Sequence, residues 1–204
     1  MTIVNDVDAV VEWLGSEVCP KVAFKRPANA EQSGGYGYEL VRPSAFAMFL
    51  PGGKDRLPPG AVTEHPSVLV QLVSGEDRPS SCDRVLKLRF HLSAWDPGLH
   101  GQDVLNPTRL PDGTIVYAQG SGGDLRRSED GWHDAWSFLD VLVASLRSTA
   151  VIGGVLSLDR SRPVSFGMYE EQGAIVDYYP FFFAWAEADF VESAPAMPFL
   201  AEYL

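Results

Sequence analysis

The sequence predicts an α+β protein: an antiparallel, meander-like sheet of four to five strands, with one long and one shorter helix packed on one face and a long glycine-rich insert. Three observations predict it. Val85 to Trp95 alternates strictly, with Leu86, Leu88, Phe90, Leu92 and Ala94 on one side and Lys87, Arg89 and His91 on the other, the period-two signature of a half-buried strand. Trp132, Trp136, Leu139, Val143 and Leu146 recur at spacings of three and four, with Val141 and Leu142 broadening the stripe, as an amphipathic helix requires. Phe181 to Val191 alternates again, with Phe182, Ala184, Ala186, Ala188 and Phe190 on one side. The small side chains there let a helix approach the sheet closely.

In chain order, Asn5 or Asp6 is placed to cap a first helix whose stripe is Val7, Val10, Val11 and Leu14 and whose end falls near Gly15. Glycine and proline dominate from Pro20 to Pro66, where only 45–50 reads as a short strand. Val68 to Val73 is continuously apolar, as expected for a central strand. The strand at 85–95 reaches roughly 35 Å at about 3.3 Å per residue, so it is expected to bend or to project beyond its neighbours. Asp96 to Asp130 holds six glycines and one short strand candidate, Thr114 to Tyr117. A stretch of this length without periodicity is expected to be a functional excursion, inserted at about 96–130 into a single domain spanning 1–204. The insert is expected to be mobile in the free subunit and to order against a partner. The main helix starts near Gly131, runs about 18 residues or roughly 27 Å, and stops at Gly153-Gly154. Val155 to Leu158 and Pro163 to Met168 read as one broken strand, and 181–191 as the last.

The chain has 204 residues, 46% of them hydrophobic and 21% charged, which is ordinary globular composition. A single domain of this size buries roughly 70% of its unfolded surface. No run of 18 apolar residues exists, so no transmembrane helix is expected. Residues 1–6 carry no basic region before an apolar stretch, so no signal peptide is expected and folding is placed in a cytoplasm. The formal net charge of −11 argues against a protein that grips nucleic acid. Beyond Arg162 there is no Lys or Arg, while Glu170, Glu171, Asp177, Glu187, Asp189, Glu192 and Glu202 all lie there. This acidity serves solubility, or pairing with a basic surface on another subunit, or a pore through which DNA slips.

No catalytic, cofactor-binding or metal-binding residue is predicted, and the chain is read as not an enzyme. His65, His91, His100 and His133 lack metal-ligand spacing, and His91, beside Lys87 and Arg89, is expected to be solvated. Asp96, His100 and Asp103 sit in the flexible insert, where they could chelate an ion, although no metal site is predicted there. Cys19 and Cys82 are isolated and expected to be unpaired and half-buried. There is no GxSxG elbow, and Gly120 to Asp124 lacks the strand, helix and Lys of a phosphate cradle. Glu170 and Glu171 point to opposite faces of a strand, so they form an exposed acidic turn rather than an acid–base pair. Trp13 and Trp136 are expected at the core or its margin, and Trp132 is expected to staple the helix start to the preceding loop. Trp95 and Trp185 are placed on the side of their strands away from the helix, with Phe181 and Phe183 and then Glu187 and Asp189. One helix cannot cover both faces, so Lys87, Arg89, Trp95, Phe183, Trp185, Glu187 and Asp189 are candidates for a subunit interface.

Three stretches carry a resemblance. They are Ser67-Val68-Leu69-Val70-Gln71-Leu72-Val73-Ser74-Gly75-Glu76-Asp77, then Asp130-Gly131-Trp132, then Glu170-Glu171-Gln172 followed by Tyr178-Tyr179-Pro180-Phe181-Phe182-Phe183-Ala184-Trp185. In this order they resemble the tail-terminator proteins of long-tailed bacteriophages and prophages. The likeness covers 67–95 and 130–191, with the first helix as a third part. It implies a small α+β subunit that forms a ring, usually a hexamer, on the last ring of the tail tube. Such a ring ends tube polymerisation and joins the tail to the head. The implied partners are copies of the chain itself, the tail tube protein and the head–tail connector; DNA passes through without specific binding, and no membrane or cofactor is involved. The implied location is the head-proximal end of the tail in the virion, after assembly in the bacterial cytoplasm. The insert at 96–130 is longer than the turn expected there, and 29–43 is also extended. Another head–tail joining protein is therefore the alternative within this class. From a different class, the alternative is a small-molecule-binding or hydrolytic α+β domain with the insert as a lid.

Overall fold

Helix α1 (Ile3–Trp13) is capped by Thr2, whose hydroxyl accepts the Asn5 backbone N–H at 3.3 Å. The cap lies a turn earlier than Asn5 or Asp6, because Asp6 is turned inward beneath the helix and buried. The chain does not stop at Gly15. It widens into a π turn over Leu14–Val18 and tightens into a 3-10 turn over Cys19–Lys21, burying Leu14, Val18 and Cys19. The computed structural model describes residues 2–27, 38–50, 57, 64–78, 80–81, 83–96, 108–109, 111–112, 115–116, 131–171, 174–175 and 181–193.

The strands are β1 (Phe24–Pro27), β2 (Tyr38–Val41), β3 (Ser44–Ala47), β4 (Ser67–Arg78), β5 (Asp83–Trp95), β6 (Thr108–Arg109) and β7 (Ile115–Val116). Helix α2 (Trp132–Ser148) follows, then β8 (Leu156–Leu158), β9 (Ser165–Met168), β10 (Glu170–Glu171), β11 (Ala174–Ile175) and β12 (Phe181–Ser193). The main sheet has the order β3-β4-β5-β12, with β8 and β9 both on the far edge of β12. It holds six strands in five positions, because β8 and β9 share one edge. It is antiparallel except for β3 and β4, which pair in parallel, and it is not the expected meander: the last strand, β12, inserts between β5 and the β8–β9 edge, so only the β4–β5 hairpin joins antiparallel neighbours that are consecutive in the chain. As expected, β8 and β9 form one broken edge: β8 pairs with Phe190 to Glu192 and β9 with Ala184 to Glu187. The long β4–β5 hairpin carries a bulge between Leu72 and Ser74, where the strand bends as strands do around an extra residue. β1 and β2 pair only with each other. They went unrecognised in the sequence because turn residues surround two four-residue strands.

Both helices lie on one face, α1 over β3 and β4, and α2 over β5 and β12. Val68, Val70, Leu86, Leu88, Phe90, Leu92, Ala184, Ala186, Ala188 and Phe190 are all buried beneath them. The alanines of β12 set a close approach, and the small Ala135 of α2 faces the sheet. Its buried line is therefore Ala135, Phe138, Leu139, Leu142, Val143 and Leu146, rotated from the expected stripe. Trp136 moves to the flank, edge-on to Phe166 at 6.2 Å. Trp132 is 42% exposed and stands edge-on to His133; the loop it was expected to staple lies outside the described residues. Gly131 begins α2 where a Cβ would collide with the Phe182 ring and the Asp96 side chain. Only glycine allows the helix start so near the ends of β5 and β12. Gly153 and Gly154 take positive φ, 57° and 77°, in the turn between α2 and β8.

At the other end of this face, Arg84 bonds Asp77 at 2.7 Å and Glu192 at 3.1 Å and lies 4.0 Å from Asp6. Neither oxygen of Asp6 has a hydrogen-bond partner among the described residues. Burial, and then the nearby Glu192, push the Asp6 carboxyl up to about 6. Cys19 is a buried unpaired thiol, pushed up to about 12 by burial. Of the glycine-rich insert, the described residues include the antiparallel pair β6–β7, which contains Ile115 and Val116 of the expected strand. Cys82, His100, Asp103, 120–124 and 176–180 lie outside the described residues. Glu170 and Glu171 pair with Ile175 and Ala174 as a small hairpin ahead of the last strand. Among the described residues no helix is long and apolar enough to cross a membrane.

Candidate functional site

Alternation along a strand sends every second side chain away from the helices. On β5 these are Lys87, Arg89, His91, Ser93 and Trp95; on β12 they are Phe181, Phe183, Trp185, Glu187 and Asp189. The register sets Phe183 beside Ser93, Trp185 beside His91, Glu187 beside Arg89 and Asp189 beside Lys87. The seven residues expected at a subunit interface therefore share one face of two neighbouring strands.

Their exposure differs. Arg89 donates through Nε to Glu187 at 2.6 Å, and its guanidinium lies 5.6 Å from the centre of the Trp185 ring. Lys87 is 3.9 Å from the same carboxylate. The side chains of Lys87 and Arg89 are 40% and 38% exposed. Asp189 does not take Lys87 as its partner. It accepts Arg162 at 3.3 Å from the loop between β8 and β9 and is buried. Trp95 is only 6% exposed, so both it and Asp189 serve the interior of the subunit rather than an open surface. Trp185 is half-buried, donates Nε1–H to the Met168 carbonyl at 2.9 Å, and packs against Gly167.

His91 is not solvated. It stacks on Tyr169 with ring planes 10° apart and hydrogen-bonds the Tyr169 hydroxyl through Nδ1. Its Nε2 meets Gln71 Oε1 at 2.8 Å. The amide oxygen can only accept, so Nε2 carries the proton and Nδ1 accepts from tyrosine. Burial, reinforced by Arg89 and opposed by Glu187, lowers the His91 pKa from its ordinary 6.5. A second chain runs beside it. His65 Nδ1 lies 2.7 Å from Ser93 Oγ, which lies 2.8 Å from Ser67 Oγ. The His65 ring packs against Phe181 at 4.8 Å and Phe183 at 6.2 Å, and burial lowers its pKa too. Sequence reasoning missed both chains. Tyr169 is 78 residues from His91, and Ser67 and Ser93 read as small interruptions of apolar runs.

Over these two neutral chains opens a cavity of about 410 Å³. Phe49, Leu50, Leu69 and Phe183 form its apolar wall, His91 and Tyr169 its polar side, and Ser67 and Ser93 its floor. Phe49 is 74% exposed and Met48 beside it 48%. Among the described residues no group of three or more His, Cys, Asp and Glu side chains is arranged to hold a metal. The arrangement suits recognition: an apolar recess with an uncharged polar base, bordered along β5 by two cations.

No protein-family model matches this chain, and no curated protein matches it.

Proposed function

We propose that the chain is a phage tail terminator: copies of it form a ring on the tail tube, end its polymerisation and present a surface to the head connector. One observation carries the reading. Among the described residues, a single sheet has one face closed by two helices, and its other face carries half-buried aromatics, partly exposed cations and an apolar recess. A face of that composition is a protein-association surface. The α+β architecture and the element order that accompany the sequence resemblance support the same reading. The ring partners are the chain itself, the tail tube protein and the connector, and the location is the head-proximal end of the virion tail. A nonsense mutation in the encoding phage tests it. The expected result is tails of uncontrolled length together with heads that lack tails. Tails of normal length overturn the reading, and normal-length tails that fail to join heads favour another head–tail joining protein.

The cavity floor favours one second reading, a hydrolytic or small-molecule-binding domain, because Ser93 sits within hydrogen-bonding distance of the neutral His65. Time-dependent labelling of Ser93 by a fluorophosphonate, lost in Ser93→Ala, would support it. An unlabelled protein removes the nucleophile.

A further inference from the structure

We infer that Asp6 and Glu192 share one proton, and that this proton is a latch fastening the first turn of α1 to the ends of β5 and β12. The latch is independent of the ring reading. Strand register builds the place for it. On the helix face of the sheet the last uncharged row is Gly75, Leu86 and Phe190, and the next row outward is Asp77, Arg84 and Glu192. Asp6 belongs to the buried line of α1, with Val7, Val10 and Trp13, and it comes to rest at that charged row.

The row and the helix together bring three carboxyls to one cation. Arg84 donates through Nε to Asp77 at 2.7 Å and through Nη1 to Glu192 at 3.1 Å. Asp6 Oδ2 is 4.0 Å from the same Nη1, too far for a hydrogen bond. Asp6 is wholly buried and Glu192 nearly so, whereas Asp77 stands in water. Ionised, Asp6 is a buried carboxylate with no donor to either oxygen among the described residues, an arrangement that folded chains avoid. Protonated, it becomes a donor itself, and the acceptor beside it is Glu192. The proton then completes a line from Asp6 through Glu192 and Arg84 to Asp77, and it removes one of the crowded negative charges.

Each element around Asp6 brings its own group: Asp77 on β4, Arg84 on β5 and Glu192 on β12, while Ser44 to Ala47 of β3 carry none that titrates. Burial acts most strongly on the Asp6 carboxyl and Glu192 next, with the amino terminus and Arg84 opposing them. The outcome is a carboxyl raised from 3.8 to about 6, so the proton is held in acid and lost towards neutral pH. Its loss to water leaves two like charges buried around one guanidinium. Lifting the first turn relieves this by carrying Asp6 to solvent. That turn has little apolar contact to lose, because Ile3 and Val4 are exposed, and Val10 and Trp13 keep the rest of α1 in place.

The test follows the isotope-labelled full chain by nuclear magnetic resonance from about pH 4 to 8. The Asp6 amide donates to the Thr2 carbonyl, so its exchange reports on the first turn directly. The Asp6 carboxyl carbon should titrate near its raised value. Protection of the Asp6 and Val7 amides, relative to an unfolded peptide at the same pH, should fall roughly tenfold or more as it does so. In Glu192→Gln the side chain still accepts a hydrogen bond but carries no charge. There the Asp6 midpoint should drop by roughly half a pH unit or more while staying above 3.8, and the loss of protection should move with it. In Asp6→Asn an amide N–H donates to Glu192 at every pH, so protection of the first turn should not depend on pH. An Asp6 midpoint unchanged by Glu192→Gln overturns the shared proton, because burial alone then holds it. First-turn protection that stays level while Asp6 titrates overturns the latch. Asp6 titrating at its ordinary value overturns both.

Discussion

Leu86, Leu88, Phe90 and Leu92 of β5 face two helices, while the interleaved Lys87, Arg89, His91 and Ser93 face away from them. Both sets belong to the same strand, yet they are satisfied by different means. The helix face excludes water with apolar side chains at interior density. Its ionic groups sit at the two ends of β5, around Arg84 at one and in the Lys25–Asp96 pair, 2.8 Å apart, at the other. The face away from the helices joins its polar groups into short chains, Arg89 to Glu187, Tyr169 to His91 to Gln71, and His65 to Ser93 to Ser67. Aromatic rings fill the spaces between them. A face finished this way is stable in water and still has apolar area to bury against a partner. The difference separates a core from a docking surface.

The sharpest way to break this contrast is to truncate one phenylalanine on each face. Phe90→Ala, beneath the helices, is expected to cost about 3–5 kcal/mol of stability. Phe183→Ala, half-buried on the other face, is expected to cost about 1–2 kcal/mol. Urea unfolding of the two variants measures both. Equal losses would make the face away from the helices a second core.

The two faces should also respond to pH with opposite sign. The Asp6 carboxyl is raised in the folded chain from 3.8 to about 6, so the fold binds its proton more tightly than the unfolded chain does. Stability should therefore fall as pH rises from about 4 through about 6, by roughly 1–3 kcal/mol. Asp6→Asn should flatten that slope and leave the protein more stable than the wild type at pH 8. His91 is lowered below 6.5, so its contribution is complete above that value and declines as pH falls below it. His91→Gln should reduce this second, smaller slope and leave the part that His65, lowered by burial in the same way, contributes. Unfolding midpoints of the wild type and both variants from pH 4 to 8 separate the two. Identical profiles for all three would refute the burial of both groups.

The smallest expected effect on folding lies at the rim. Arg89→Glu sets two carboxylates side by side, yet the pair is partly exposed, so about 0.2–1 kcal/mol is lost. Ring formation on tail tubes should suffer far more. Adding Glu187→Arg restores the local pair with its charges exchanged and should recover the folding loss. Normal capping by Arg89→Glu alone would remove this edge from the interface.

The alternation of 85–95 and 181–191 made both central strands legible, and parity alone placed Arg89 beside Glu187. The alanines of β12 likewise announced a close helix. The rotation of α2 was not legible, because Trp132 and Trp136 count as apolar in any stripe although neither fits above those alanines. The parallel pairing of β3 with β4 leaves no local signal, since it depends on the path of the intervening chain. Burial of Asp189 depends on Arg162, 27 residues away, and that of His91 on Tyr169. Periodicity reports which way a side chain points; it does not report what returns from elsewhere in the chain to meet it.

The central claim, that the face away from the helices serves a ring at the end of a tail, is tested most directly by locating the subunit. Native particles carrying a gold-labelled copy of the chain, viewed by electron microscopy, should show label only at the head-proximal end of the tail. Label along the tube, at the distal tip or absent from the particle would contradict the assignment.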